Sequence, residues 1–269
     1  MTEWLGDLWK GLKTSDVYEP WTLGWVSGLT TQRGLYNNFN LKQTLAKDLK
    51  PFGKVAKKLV VSAVDVNSGK YITFDETMPF SDLPTAVLAS SSIPFLFPPT
   101  KFQGHLLMDG GTVWNTNMVS AVDKCKELGF SEKDVLIDIL LLNQPSLSKE
   151  DRTKDLTAIE NYFRRREIAG YYDTLSDVES FKRAQPNVEI RHLFIPSVPL
   201  SSGLGKMSFD WKDTEFMFEA GKVDAKAYLD SVSGQQANLM SEWINDSELQ
   251  KSNPDYISYI NKHTYKNIE

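Results

Sequence analysis

Cysteine is all but missing from this sequence: Cys125 stands alone among 269 residues. No disulfide can close within the chain, which suits a reducing compartment and excludes cysteine-rich zinc sites. Histidine is nearly as scarce. His105, His192 and His263 lie far apart and show no metal-ligand spacing, and the sequence as a whole implies no metal and no organic cofactor. Long apolar runs are missing too. The longest, VLIDILLLN from Val135 to Asn143, is broken by Asp138 and falls far short of the roughly 20 residues of a spanning helix. The opening MTEWLGDLWKGLK carries acid early and has no continuous apolar core, unlike a secretory leader. There is no basic excess: the net charge of -5 counts against a nucleic-acid partner. It leaves room for local patches that meet a membrane surface. A cytoplasmic protein, at most peripheral to membranes, is the expectation.

What is present is the composition of an ordinary globular domain, 41% hydrophobic and 24% charged. Trp4, Leu5, Leu8, Trp9 and Leu12 fall on one helical face. Such a stripe more often packs into a core than lies in a membrane interface, and both readings suit these residues. A loop-rich stretch to Asn38 and a helix LKQTLAKDL follow. KKLVVSAVDVNSGKYITFDE reads as a hairpin turning at Asn67-Ser68-Gly69. SDLPTAVLASSSIPFLFPP reads as a helix that Pro94 ends. HLLMD is a short strand, MVSAVDKCKELG a helix, and VLIDILLLN a strand buried on both faces of a parallel sheet. A polar helix over about 149–183, a strand VEIRHLFIP and a helix from Trp211 complete the pattern. Alternating strands and helices predict an α/β fold with a largely parallel central sheet. Residues 1–233 form the domain and 234–269 a polar C-terminal extension.

HLLMDGGTVWNTN, from His105 to Asn117, holds the candidate chemistry. By local chemistry, Asp109-Gly110-Gly111 is a turn first, because glycine takes tight conformations without penalty. The functional reading is a general base presented by that turn at a strand end. The surroundings carry a resemblance. Ala89 to Ser92, Ile93-Pro94, Pro98-Pro99, Asp109-Gly110-Gly111 and Asn115 follow one another in an order that resembles the patatin-like phospholipase family. Asn117 stands where that family often has proline, and can still cap the next helix. DLWKGLKTSDVYEPW, GLYNNFNLKQTL and DTEFMFEAGKVDA are similar to further segments of it, so the likeness runs over roughly residues 4 to 230.

The resemblance implies a three-layer patatin-like fold and a lipid acyl hydrolase, of phospholipase A or esterase type, acting in lipid metabolism on a lipid or membrane-surface ester. It implies a Ser–Asp dyad, with Asp109 as the aspartate and Gly110, Gly111 and Asn115 as supporting residues. Serine attacks the ester carbonyl, aspartate takes its proton, and water later releases the acid. The serine belongs on a Gly-x-Ser-x-Gly elbow after a glycine-rich oxyanion loop, and the sequence contains neither. GWVSG, Gly24 to Gly28, has Ser27 one place too late. Ser90, Ser91 and Ser92 suit loop hydrogen bonding near the aspartate.

The expectation is therefore a patatin-like domain without its N-terminal strand and nucleophile elbow. It would be an incomplete gene model of an active enzyme, a catalytically inactive lipid-surface or partner-binding pseudoenzyme, or one chain of a two-chain site. VVSAVDV and LLMD would then be left with an unpaired edge and bare apolar surface. A plain α/β protein with a fortuitous Asp-Gly-Gly turn is the unrelated alternative. Arg164-Arg165-Arg166, near Lys154, reads as a solvated helix face balanced by Glu160 and Glu167, or as a contact for anionic head groups. Trp4, Trp9, Trp21, Trp25 and Trp114 suit a core or a lipid interface. Asn245-Asp246-Ser247 matches a glycosylation sequon without a secretory context. Composition and motifs leave the oligomeric state open.

Overall fold

The computed structural model describes residues 2–142, 157–197 and 207–232. The predicted extension 234–269, with His263 and the sequon, lies outside the described residues. So do residues 143–156, Lys154 among them, and the side chain of Trp25. The chain divides into two compact units, Met1–Lys124 with Gly205–Glu215, and Cys125–Leu204 with Phe216–Glu269.

The first unit opens with α1 (Thr2–Gly11), α2 (Thr14–Val17), β1 (Glu19–Pro20), α3 (Gly24–Thr30), β2 (Tyr36–Asn37) and α4 (Phe39–Leu49). The stretch expected to be loop-rich thus holds short helices and a two-stranded antiparallel ribbon. The α1 stripe is buried only in part: Leu8 and Leu12 are half-buried, while Trp4, Leu5 and Trp9 are exposed. Four strands follow, β3 (Val60–Asp65), β4 (Tyr71–Asp75), β5 (Thr100–Phe102) and β6 (His105–Asp109), with α5 (Leu83–Ser90) between β4 and β5.

These strands form one sheet in the order β4-β3-β6-β5, antiparallel at every pairing. The expected largely parallel central sheet is not what these residues build, and the reason is local. Two tight connections, between β3 and β4 and between β5 and β6, force those neighbours to run in opposite directions; the β3–β6 pairing is antiparallel through a long-range contact. One is the expected hairpin: Asp65 Oδ1 accepts the Asn67 N–H at 3.0 Å, and Gly69 takes φ +70. The other is Gln103-Gly104, with φ +48 and +81. Two successive positive φ values make the primed turn whose twist suits a two-residue hairpin. Nor is there a bare edge where one was expected, since β3 lies between β4 and β6, and β6 between β3 and β5.

The helix α5 lies against β3, β5 and β6. Ala63, Phe74, Ala86, Ala89 and Leu107 form the buried core there. Small alanines on α5 let it approach the sheet closely, and the Phe74 and Phe102 rings meet there at 4.9 Å, tilted by 55°. Val66 lies just past the end of β3 and is exposed. The helix α6 (Met118–Glu127) begins in this unit and passes its boundary at Lys124.

The second unit holds β7 (Leu136–Leu140), α7 (Ala158–Ala184) and β8 (Glu189–Phe194). The strands β7 and β8 are parallel. The expectation of burial on both faces fails for β7, whose residues alternate: Ile137 and Ile139 are buried while Leu136 and Leu140 are exposed. Arg191 clasps Asp138 across the pair. Thr157 caps α7 reciprocally with Glu160, and Arg164 pairs Glu167 at 2.9 Å, so both acidic residues are held in local helix contacts. The final helix, α8 (Trp211–Val232), belongs by its first residues to the first unit and otherwise to the second. Among the described residues no helix is long and apolar enough to cross a membrane.

Candidate functional site

Asp109 closes β6, and the chain turns at once through a short 3₁₀ segment, Gly110–Thr112. Three sets of contacts fix the position. Across the sheet Asp109 pairs with Ala63 of β3. Its N–H donates to the Ser92 carbonyl at 3.0 Å. Its side chain caps the turn, with Oδ1 accepting the Gly111 N–H at 2.7 Å. Asp109 is half-exposed at the end of this construction. A carboxylate held by its own turn, with its strand paired on either side, is restrained in direction without being buried.

Each glycine of the turn has a separate reason. A Cβ on Gly110 would stand 2.6 Å from the Ser62 carbonyl oxygen, so β3 can run past the turn only if position 110 lacks a side chain. A Cβ on Gly111 would meet Asn115 Oδ1 at 2.6 Å and Asp109 Oδ1 at 3.1 Å. The Asn115 side chain is therefore folded against the same turn that holds Asp109. Asn117 does what its position suggested: its Oδ1 accepts the Ser120 N–H at 3.1 Å at the start of α6.

The serine-rich segment supports this turn from behind. Ser92 is fully buried, donates Oγ–H to the Leu88 carbonyl at 2.8 Å and lies 2.9 Å from Thr100 Oγ1. Ser91 bonds back to Val87 in the last turn of α5. The Ser92 hydroxyl thus stitches α5 to β5, and the Ser92 carbonyl reaches Asp109. Ser27 is brought nowhere near such a geometry. It sits inside α3, buried, with its hydroxyl 3.0 Å from Thr31 Oγ1.

Two groups beside the turn escaped sequence reading. The Tyr71 hydroxyl donates to Ser62 Oγ at 2.7 Å and reaches the Trp114 carbonyl at 3.3 Å, while the Tyr71 and Trp114 rings meet at 5.9 Å. Tyr71 thereby links the first hairpin to the segment after Asp109. The signal was weak, because the partners lie 43 residues apart. His105 shares β6 with Asp109 but is engaged elsewhere, with Nδ1 3.2 Å from Asp65 Oδ2. The Asn67 N–H, then His105 and Ser68, hold the Asp65 carboxyl below its ordinary range. Among the described residues no three histidine, cysteine, aspartate or glutamate side chains gather as a metal site.

The family model for patatin-like phospholipase matches residues 4–122. The resemblance carried by the Asp-Gly-Gly stretch and its surroundings is sound over that range, which includes Asp109, Gly110, Gly111 and Asn115. It is less than half of the chain, and the similarity of Asp213–Ala225 lies outside it. No curated protein matches this chain.

Proposed function

We propose, from the patatin-like phospholipase match over residues 4–122, that this chain supplies the acid–base half of a serine lipid acyl hydrolase, with Asp109 as the dyad aspartate. The observation that carries the reading is the built turn. A half-exposed carboxylate is capped by Gly111, tied to Ser92 and paired with β3. Gly110 and Gly111 allow the close passage of Ser62 and Asn115. In this role Asp109 accepts the proton of a serine hydroxyl as that oxygen attacks an ester carbonyl. It returns the proton to the leaving alcohol, and it then activates water against the acyl-enzyme. The substrate class is an ester at a lipid or membrane surface.

The serine is absent from these 269 residues as a Gly-x-Ser-x-Gly elbow, and Ser27 is spent inside a helix. The nucleophile must then come from polypeptide outside them. The second reading is a catalytically inactive lipid-surface or partner-binding domain. One assay separates the two: fluorophosphonate labelling with hydrolysis of a nitrophenyl ester and a phospholipid. The chain as it stands is expected to show neither. Adding a strand–Gly-x-Ser-x-Gly–helix unit is expected to restore both if the hydrolase reading holds, and nothing if the domain is a binder. A labelled serine within the chain itself would overturn the assignment and name its own nucleophile.

A further inference from the structure

The exposed aromatic face of α1 has no role in the proposed chemistry. Trp4, Leu5 and Trp9 are 40%, 48% and 39% exposed on one side of the helix. Trp4 meets Phe52 edge to face, with ring centroids 5.1 Å apart, and Phe52 is itself 45% exposed. The turn Lys50–Phe52 that follows α4 therefore extends the aromatic face of α1 into one surface. Large aromatics held at the tip of a turn and along one helix face are costly to leave in water, and such a patch marks a contact.

The charges around it indicate what the contact is. From Lys42 to Lys58 the chain carries six lysines, Lys42, Lys47, Lys50, Lys54, Lys57 and Lys58, against a single acidic residue, Asp48. Lys47, Lys50, Lys54 and Lys57 are exposed, and only Lys58 is drawn into an ion pair, with Glu76, among the described residues. Glu3 and Asp7 on α1 are balanced by Lys10 and Lys13. A chain of net charge -5 thus concentrates positive charge in the segment that carries Phe52, whose ring meets Trp4. Aromatic groups that enter the head-group region, rimmed by such lysines, match an anionic bilayer surface, where each basic residue adds about 1 kcal/mol.

We propose that the surface formed by α1 and the Lys47–Lys57 stretch docks this chain onto anionic membranes, with Trp4, Trp9 and Phe52 as the inserted groups. The inference goes beyond the hydrolase reading, because docking needs no catalysis and is measured without it. The test is co-sedimentation of the 269-residue chain with vesicles of phosphatidylcholine alone and of phosphatidylcholine with phosphatidylserine. Binding is expected only to the second, and to weaken with added salt. The triple variant Lys50→Gln, Lys54→Gln, Lys57→Gln should lose about a hundredfold in affinity, at roughly fivefold per lysine. Phe52→Ser should weaken binding while leaving circular dichroism and Tm unchanged, since the side chain is already half in water. Equal binding to both vesicles, no binding, or a triple variant that binds normally would overturn the proposal. Self-association of the chain that Phe52→Ser abolishes, without vesicle binding, would assign the face to a second copy and overturn it as well.

Discussion

Two short stretches of this chain look alike on paper: GWVSG, with Ser27, and MDGGT, with Asp109. Each sets a reactive side chain beside glycine. In the structure they could hardly differ more. Ser27 is buried inside a helix, and its hydroxyl is consumed by Thr31. Asp109 stands at a strand end, half-exposed, with its backbone bonded to Ser92 and its carboxylate capping the turn. Gly28 and Gly110 both let another strand of backbone pass: a Cβ would lie 2.5 Å from the Leu35 carbonyl oxygen in one case and 2.6 Å from that of Ser62 in the other. The glycines therefore do not distinguish the sites. The distinction lies in whether the reactive group is turned inward among its own helix or presented at the end of a strand.

The comparison can be broken most severely at the reactive atoms. In an assay supplied with the serine-bearing unit, Asp109→Asn is expected to lower hydrolysis on the order of 10⁴-fold, whereas Ser27→Ala should leave the rate within about twofold. Next comes the packing of the turn. Gly110→Ala places a methyl group against backbone that cannot move aside, and should cost about 2–3 kcal/mol by chemical denaturation. Gly111→Ala meets only side-chain atoms of Asn115 and Asp109 and should cost less. A loss at position 111 equal to that at 110 would refute the backbone argument. Asn117→Ala, which removes the cap of α6, should cost about 1 kcal/mol. Ser27→Ala should cost still less, because Thr31 keeps a bond to the Ser27 carbonyl at 3.1 Å.

Acid sharpens the comparison by loosening the sheet that carries the Asp109 turn. Lys58 and the Leu59 N–H hold the Glu76 carboxyl down to about 2, and Lys124, with Thr77, holds Asp75 far below its usual range. In the unfolded chain both return to ordinary carboxylate values, 4.5 for Glu76 and 3.8 for Asp75. The unfolded state then binds more protons below about pH 4.5, so the stability these groups confer is complete above that pH and is lost as pH falls toward about 2. Tm should be flat from about pH 7 to about 5 and fall below that. Lys124→Ala, by freeing Asp75, should make the fall shallower. An unchanged acid limb in that variant would remove Lys124 from the account.

What could be read in advance follows the range of the interactions. The Asn67-Ser68-Gly69 hairpin, the end of α5 before Pro94, the Asn117 cap and the role of the serine segment all depend on neighbours within a few residues, and the local patterns announce them. The strand direction was misread because β5 is three residues long and Gln103-Gly104 is a weaker turn signal than Asn-Gly. With that hairpin unseen, an apolar run such as HLLMD looks the same in a parallel as in an antiparallel sheet. VLIDILLLN misled for a related reason: its apolar exposed face, Leu136 and Leu140, cannot be told from a buried one by composition. The α1 stripe is ambiguous in sequence because the contact of Trp4 is with Phe52, which lies beyond the whole of α4. The motif order singles out Asp109, Gly110, Gly111 and Asn115, which the structure gathers at one turn, while Tyr71 and Ser62 come to that turn only through the sheet.

The most direct measurement is ester hydrolysis by the chain combined with a serine-elbow unit, comparing Asp109 with Asp109→Asn under matched folding and fluorophosphonate labelling. Near-complete loss of turnover, with circular dichroism and Tm unchanged, is the predicted result, since asparagine keeps the bond to the Gly111 N–H and loses only the base. Turnover by Asp109→Asn at the parent rate would contradict the central claim and reduce the Asp-Gly-Gly stretch to a well-made turn.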